Sequence, residues 1–169
     1  LGYYSRAANL RKAAQTIQEQ YGGVFPRTWE EVRGLAGVGD YTAGAVCSIC
    51  YGLPTPAVDG NVLRVAARVM NHFCEIDRPE QKAAVTALLR QVYLDNPEHC
   101  GTLTQAFMEI GATVCVPNGQ PHCETCPLSE LCLGRQYCDA LRLPQRTAKK
   151  ARRQEQYTVF VLQCDGKFA

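Results

Sequence analysis

The sequence has no apolar run approaching the roughly 18 to 20 residues that a membrane-spanning helix needs, so no membrane segment is read from it. It also has little net charge: 18 Lys and Arg against 16 Asp and Glu leave +2, too small a surplus to argue for nucleic acid by itself. Internal repeats are absent, and nothing in the composition suggests collagen, a coiled coil or wholesale disorder. There is no initial methionine. The chain opens at Leu1 within a helical pattern and closes at Ala169 after an alternating stretch, so we read it as an internal portion of a longer protein and read no targeting peptide from it. What is there is a globular composition, 46% apolar over 169 residues, enough to bury a core. A soluble intracellular protein is the default.

Cysteine is abundant, with ten residues. In a short secreted chain they would suggest disulfides, but their spacing argues otherwise. Cys115, Cys123, Cys126 and Cys132 crowd into one segment, as Cys-x7-Cys-x2-Cys-x5-Cys. Cys47, Cys50, Cys74, Cys100, Cys138 and Cys164 are scattered through helical or strand patterns and read as small buried hydrophobes. Four clustered thiols read as metal ligands in a reducing compartment. They suit tetrahedral zinc or a [4Fe–4S] cluster, and ligand softness alone does not separate the two. His122 is a further candidate for zinc.

The apolar spacing is helical nearly throughout. Leu10, Ala13, Ala14, Ile17 and Tyr21 predict a helix from Ser5 to Tyr21, stopped by Gly22-Gly23. Thr28 and Glu31 form a capping box for a short helix containing Trp29, Val32 and Leu35. After Gly37-Val38-Gly39, a second helix is predicted from Asp40 to about Tyr51, ended by Gly52 and Pro54. Asp59 is a plausible N-cap for a helix whose stripe is Val62, Val65, Ala66, Val69 and Met70. Pro79 opens another, with Val85, Leu88, Leu89, Val92 and Tyr93 on one face, and a further helix runs from about Gly101 through Phe107 and Ile110. Only Tyr157 to Gln163 has strand chemistry. Before it, Arg142, Arg146, Lys149, Lys150, Arg152 and Arg153 form a basic stretch without an acid, suited to phosphate contact or to a solvated linker.

Two constellations carry chemistry besides the cysteines. In Leu35-Ala36-Gly37-Val38-Gly39-Asp40-Tyr41-Thr42-Ala43 the glycines allow a tight turn, and the following helix offers unpaired N–H groups and its positive dipole end. Such a turn is an anion site suited to a DNA phosphate, or an ordinary helix–helix connection. In Val58-Asp59-Gly60-Asn61-Val62 a carboxylate stands at the mouth of a helix. It is placed either to stabilise positive charge developing on a sugar as its glycosidic bond breaks, or merely to cap the helix.

The whole pattern, Leu35 before the hairpin and Tyr41-Thr42-Ala43 after it, resembles the helix-hairpin-helix motif of the endonuclease III superfamily of base-excision glycosylases. The cysteine spacing is similar to that superfamily's cluster loop, with the first gap one residue longer, and it favours [4Fe–4S] over zinc. Val116 to His122 carries no Lys or Arg, unlike the loop in many relatives. Within the superfamily, Tyr41 stands where bifunctional members place a Schiff-base lysine. With Thr42-Ala43-Gly44-Ala45 and Leu1-Gly2-Tyr3-Tyr4-Ser5-Arg6-Ala7, it resembles the MutY family, monofunctional enzymes that remove adenine mispaired with 8-oxoguanine. The resemblance covers residues 1 to 140.

It implies an all-α helix-hairpin-helix glycosylase fold with a cluster loop, followed by the start of a small α+β, Nudix-like domain. The divisions expected are part of a six-helix barrel (1–53), a cluster domain (54–138), a basic linker (139–156) and a first strand of the 8-oxoguanine-recognition domain (157–169). The roles implied are catalytic for Asp59, with Tyr41 and Asn61 shaping the sugar site. Leu35, Gly37, Val38, Gly39 and Thr42 would bind DNA phosphate, and Cys115, Cys123, Cys126 and Cys132 would hold a [4Fe–4S] cluster. The expected partner is double-stranded DNA with A opposite 8-oxoguanine or G, met as a monomer inside the cell, where the DNA is. A glutamate that protonates the departing adenine is expected ahead of Leu1. The alternatives are an endonuclease III-like glycosylase and lyase for oxidised pyrimidines, and a non-catalytic, metal-stabilised DNA-binding module.

Overall fold

The computed structural model describes residues 4–148 and 154–168. Helices α1 (Tyr4–Gln20), α2 (Trp29–Gly34), α3 (Asp40–Tyr51), α4 (Gly60–Val69), α5 (Pro79–Asp95), α6 (Cys100–Glu109) and α7 (Leu133–Gln136) follow one another. A two-stranded antiparallel hairpin, β1 (Gln163–Cys164) and β2 (Lys167–Phe168), comes last. Local chemistry sets most of these boundaries. Gly22 and Gly23, both at positive φ, follow α1. The Thr28 hydroxyl accepts from the Glu31 N–H at the start of α2, and the Glu31 carboxylate accepts from Thr28 N–H in return. Gly52 ends α3 in the left-handed conformation.

One apolar cluster gathers Val58, Val62, Leu63, Ala66, Ala67, Ile76, Val85 and Leu89, with Met70 and Phe107 against it. Here α4 is the central element, sequestered on several sides. A second cluster, Val32, Ala43 and Cys47 with Trp29, Val38, Val46 and Leu53, fastens α2 to α3. Helices α3, α5 and α6 also meet through buried hydroxyls: Ser48 Oγ lies 2.7 Å from Thr104 Oγ1, which lies 2.9 Å from Tyr93 OH. Mutual satisfaction makes burial of these polar groups tolerable.

Several expectations need correction. Of the six scattered cysteines, Cys47 and Cys100 are buried, but Cys50, Cys74, Cys138 and Cys164 are exposed, because they fall on outward positions of their segments. Leu10 and Ala14 are exposed on α1, where only Ala13 is buried. Leu88 is also exposed, whereas Val85, Leu89 and Tyr93 of α5 are buried. Residues 154–162 are exposed and without regular structure, and strand pairing begins only at Gln163, across the Asp165–Gly166 turn. A strand needs a partner, and among the described residues only β2 supplies one. The expected linker is docked at its start. Leu143 is buried, Ile76 donates its N–H to Gln145 O (3.0 Å), and Thr147 donates its N–H to Asp77 Oδ1 (3.0 Å). Lys149, Lys150, Arg152, Arg153 and Leu1 to Tyr3 lie outside the described residues. Among those described, no helix is long and apolar enough to cross a membrane.

Candidate active site and cysteine-lined cavity

The hairpin between α2 and α3 is built as its glycines suggest. Leu35 is buried and anchors the turn, Val38 donates its N–H to Leu35 O (3.1 Å), and Gly37 sits at φ +78°. A Cβ there would also meet Asn9 Cβ at 2.7 Å, so α1 closes on the turn. Arg33 clamps it from outside, Nε donating to Asp40 Oδ1 (2.6 Å) and Nη1 to Val38 O (3.0 Å). That bond holds the Asp40 carboxyl below its ordinary range and ties up its charge, which would otherwise repel an anion. Gly39 caps α3 without any side-chain bond, so the first-turn N–H groups of the 12-residue helix keep their donor capacity and its positive end.

Asp59 stands at the opposite side of a close packing contact. An added Cβ on Gly44 would lie 2.6 Å from Pro56 O, so only glycine at this point of α3 lets the Pro56–Ala57 backbone pass. Past that contact the chain runs on to Asp59 at the N-terminus of α4. Tyr41 and Asp59 come within electrostatic reach: burial raises the Tyr41 phenol above its ordinary value, and the Asp59 carboxylate adds to the rise. Tyr41 is therefore a neutral hydroxyl at neutral pH, a donor and not a phenolate.

Asp59 does cap α4. Its Oδ1 accepts from Asn61 N–H and Val62 N–H, both at 2.9 Å, and Oδ2 accepts from Asn61 Nδ2 at 3.3 Å. Oδ1 is thus committed to the backbone, and Oδ2 carries only one longer bond. Capping and chemistry are not exclusive, since one oxygen is held and the other is presented.

Periodicity gave no sign of Arg64 and Arg68, which are 3% and 4% exposed. Arg64 Nη1 donates to Asn61 Oδ1 (2.9 Å), Nε to Cys115 O (2.9 Å) and Nη2 to Gly111 O (2.6 Å). Arg68 Nε donates to Leu143 O (3.0 Å), and its Nη1 donates to Val116 O (2.9 Å) and Cys115 Sγ (3.3 Å). A continuous bonded path therefore runs from Asp59 through Asn61 and Arg64 to Cys115. Burial works against the Arg64 charge, as Arg68 and Arg146 do, while Cys115 and Asp59 favour it. The visible signal was only two basic residues four apart on an otherwise apolar helix.

Cys115, Cys123, Cys126 and Cys132 line one cavity, together with Val65, Arg68 and His122. All ten cysteines are free thiols. Burial pushes the Cys123 thiol up, and Cys132, Cys115 and Cys126 push it further, with Arg135 opposing. Four thiolates in this space would repel one another without a cation among them. Among the described residues no set of three or more His, Cys, Asp or Glu side chains converges as the ligands of one metal ion. The four thiols surround a space and do not meet at a point.

The chain is similar to several known proteins. The chain is 44% identical over 137 residues to human adenine DNA glycosylase, which covers 80% of this chain and 24% of that protein. It is 38% identical to adenine DNA glycosylase of Schizosaccharomyces pombe (84% and 30% covered), and 30% identical to that of a Buchnera aphidicola strain (99% and 47%). The chain thus spans between about a quarter and a half of the length of these relatives. Among solved structures it superposes on a thermostable thymine-DNA glycosylase with a TM-score of 0.67 and 30% identity, covering 79% of this chain and 59% of the other. It superposes on endonuclease III from a non-covalent DNA complex with a TM-score of 0.62 and 29% identity, covering 83% and 62%. No family model matches. The fold is that of the endonuclease III-like helix-hairpin-helix glycosylases. Within that class, the curated relatives that the chain resembles over 80% to 99% of its own length are adenine DNA glycosylases.

Proposed function

We propose that this chain forms the sugar-binding and phosphate-binding portion of a monofunctional adenine DNA glycosylase, which hydrolyses the N-glycosidic bond of an adenine flipped out of double-stranded DNA opposite 8-oxoguanine or G. The observation that carries this is the Asp59 carboxylate, fixed through Oδ1 at the N-terminus of α4 with Oδ2 on one longer bond, and within electrostatic reach of Tyr41 at the hairpin. In the mechanism, backbone N–H groups around Gly37 to Thr42, with Leu35 and Val38 shaping the turn, hold a DNA phosphate. The free edge of Asp59 Oδ2 faces the positive charge that grows on the sugar as adenine leaves. Asn61 orients that carboxylate and is itself held by Arg64. Tyr41 offers a neutral hydroxyl, with no amine to form a Schiff base, which opposes the lyase alternative. The family resemblance implies that the proton for the departing adenine comes from a glutamate that is not among the residues gathered at this site.

The cysteine cavity fits a [4Fe–4S] cluster better than zinc, because four thiols spread around a cavity suit a group larger than one ion. Cys115, Cys123, Cys126 and Cys132 would hold it. Such a cluster, when bound, cross-links its loop rigidly.

Single-turnover base release tests the function. The chain extended upstream of Leu1 should free adenine from a duplex with A opposite 8-oxoguanine and leave thymine glycol in place, while residues 1–169 alone should release nothing. Thymine glycol excision would favour the endonuclease III-like alternative. Comparable adenine release by both lengths would put the acid inside this chain.

A further inference from the structure

The loop between Cys115 and Cys123 carries no Lys or Arg of its own, yet a groove of about 480 Å³ beside it is lined by Arg64, Arg68 and Arg146 and by no acid. Pro117, Asn118 and Gly119 form its other wall. Arg64 and Arg68 are buried with donors committed to carbonyl oxygens, so they give the groove a fixed positive field. Arg146 differs, being exposed; its side chain makes no hydrogen bond among the described residues, and the Asp77 carboxylate is the acid within its electrostatic reach there. Its backbone is nevertheless fastened on both sides, by Ile76 to Gln145 and by Thr147 to Asp77. Its guanidinium is aimed inward: Nη2 lies 3.9 Å from the position a Cβ on Gly60 would take, one residue from Asp59. An exposed arginine on an anchored backbone, over a groove with buried positive charge, presents a planar donor fork to a phosphate at small entropic cost.

We infer that this groove seats a DNA backbone phosphate adjacent to the nucleotide presented to Asp59, with Arg146 as its ligand. The following segment thereby supplies the positive charge that the cysteine loop lacks. The inference rests on the proposed glycosylase reading. It goes beyond that reading in assigning to Arg146, the start of what the sequence suggests is a linker, a fixed place in the DNA interface.

The test is a double-mutant cycle on binding by the 169-residue chain. Duplexes carry a non-cleavable adenine analogue opposite 8-oxoguanine, with one flanking phosphate at a time replaced by neutral methylphosphonate. Arg146→Ala should weaken binding roughly tenfold near 0.1 M salt and lower the slope of log affinity against log salt by about one. At one flanking phosphate the methylphosphonate should cost the unsubstituted chain binding but cost Arg146→Ala nothing further. Arg146→Lys should recover part of the affinity, and an unchanged melting curve should show that the fold is kept. Strict additivity at every flanking phosphate, or an unchanged salt slope, would overturn the inference while leaving the glycosylase reading intact. Failure of the unsubstituted chain to bind any of the duplexes would overturn the reading and the inference together.

Discussion

At the scale of the residue, Asp59 shows how one side chain serves folding and chemistry at once. Its Oδ1 closes the first turn of α4 through two N–H groups, a function that asparagine can keep with its own carbonyl oxygen. Oδ2 accepts neither of those backbone bonds. Asp59→Asn is therefore expected to cost under about 1 kcal/mol of stability while lowering single-turnover adenine release by at least roughly a hundredfold. Denaturation curves and quench-flow excision by the upstream-extended chain would show both effects. Near-normal excision would reduce Asp59 to a cap. The sequence could suggest both roles, because capping is local and the spacing from the hairpin matched a family. It could not suggest Arg64 and Arg68, whose carbonyl partners lie 47 to 75 residues away in the chain. On an amphipathic helix an arginine ordinarily marks the solvent side, and nothing local says that it will meet buried carbonyls.

At the scale of the element, legibility followed the range of the interactions. Helix α3 runs from Asp40 to Tyr51 with Gly52 as its cap, as its glycines and apolar spacing predict, since both signals lie within it. The Thr28 and Glu31 box is equally local. The docking of Leu143 to Thr147 depends on Ile76 and Asp77, and so it was hidden behind a basic composition that reads as linker. The contact between α3 and the Pro56–Ala57 backbone is of the same long-range kind, and it packs α3 against the segment that leads into Asp59. Gly44→Ala places a methyl group 2.6 Å from Pro56 O, inside van der Waals contact with backbone that has no rotamer by which to yield. The expected result is a loss of about 2 kcal/mol of stability, with excision falling more than DNA affinity because the Asp59 turn shifts while the hairpin does not. Chemical denaturation with parallel binding and excision measurements checks this, and equal losses in binding and excision would place the damage in the hairpin instead.

At the scale of the whole molecule, the segment from Cys115 to Cys132 has little apolar core of its own. It follows the π-helical turn Ile110–Val114 that ends α6, its regular structure is two short 3-10 turns, and its cysteines are only partly buried. Polar contacts join it to the body: Arg68 to Cys115 and Val116, Arg64 to Cys115, and Cys132 Sγ to Arg68 O. If the four cysteines act as thiolates, their mutual repulsion is relieved only by a positively charged group among them, and the proposed cluster would supply it. Protein purified without oxygen is accordingly expected to carry about four iron atoms per chain and little zinc. Removing the iron by oxidation and chelation should release hydrogen-exchange protection from residues 115–138 while the core of α4 and α5 stays protected. The loss should reach Asp59 as well, since Arg64 and Asn61 join it to Cys115. Metal analysis with exchange mass spectrometry gives both readouts on the same sample. Stoichiometric zinc without iron would replace the cluster by a structural zinc site, and iron-free protein with the loop fully protected would show that the polar contacts suffice without any metal.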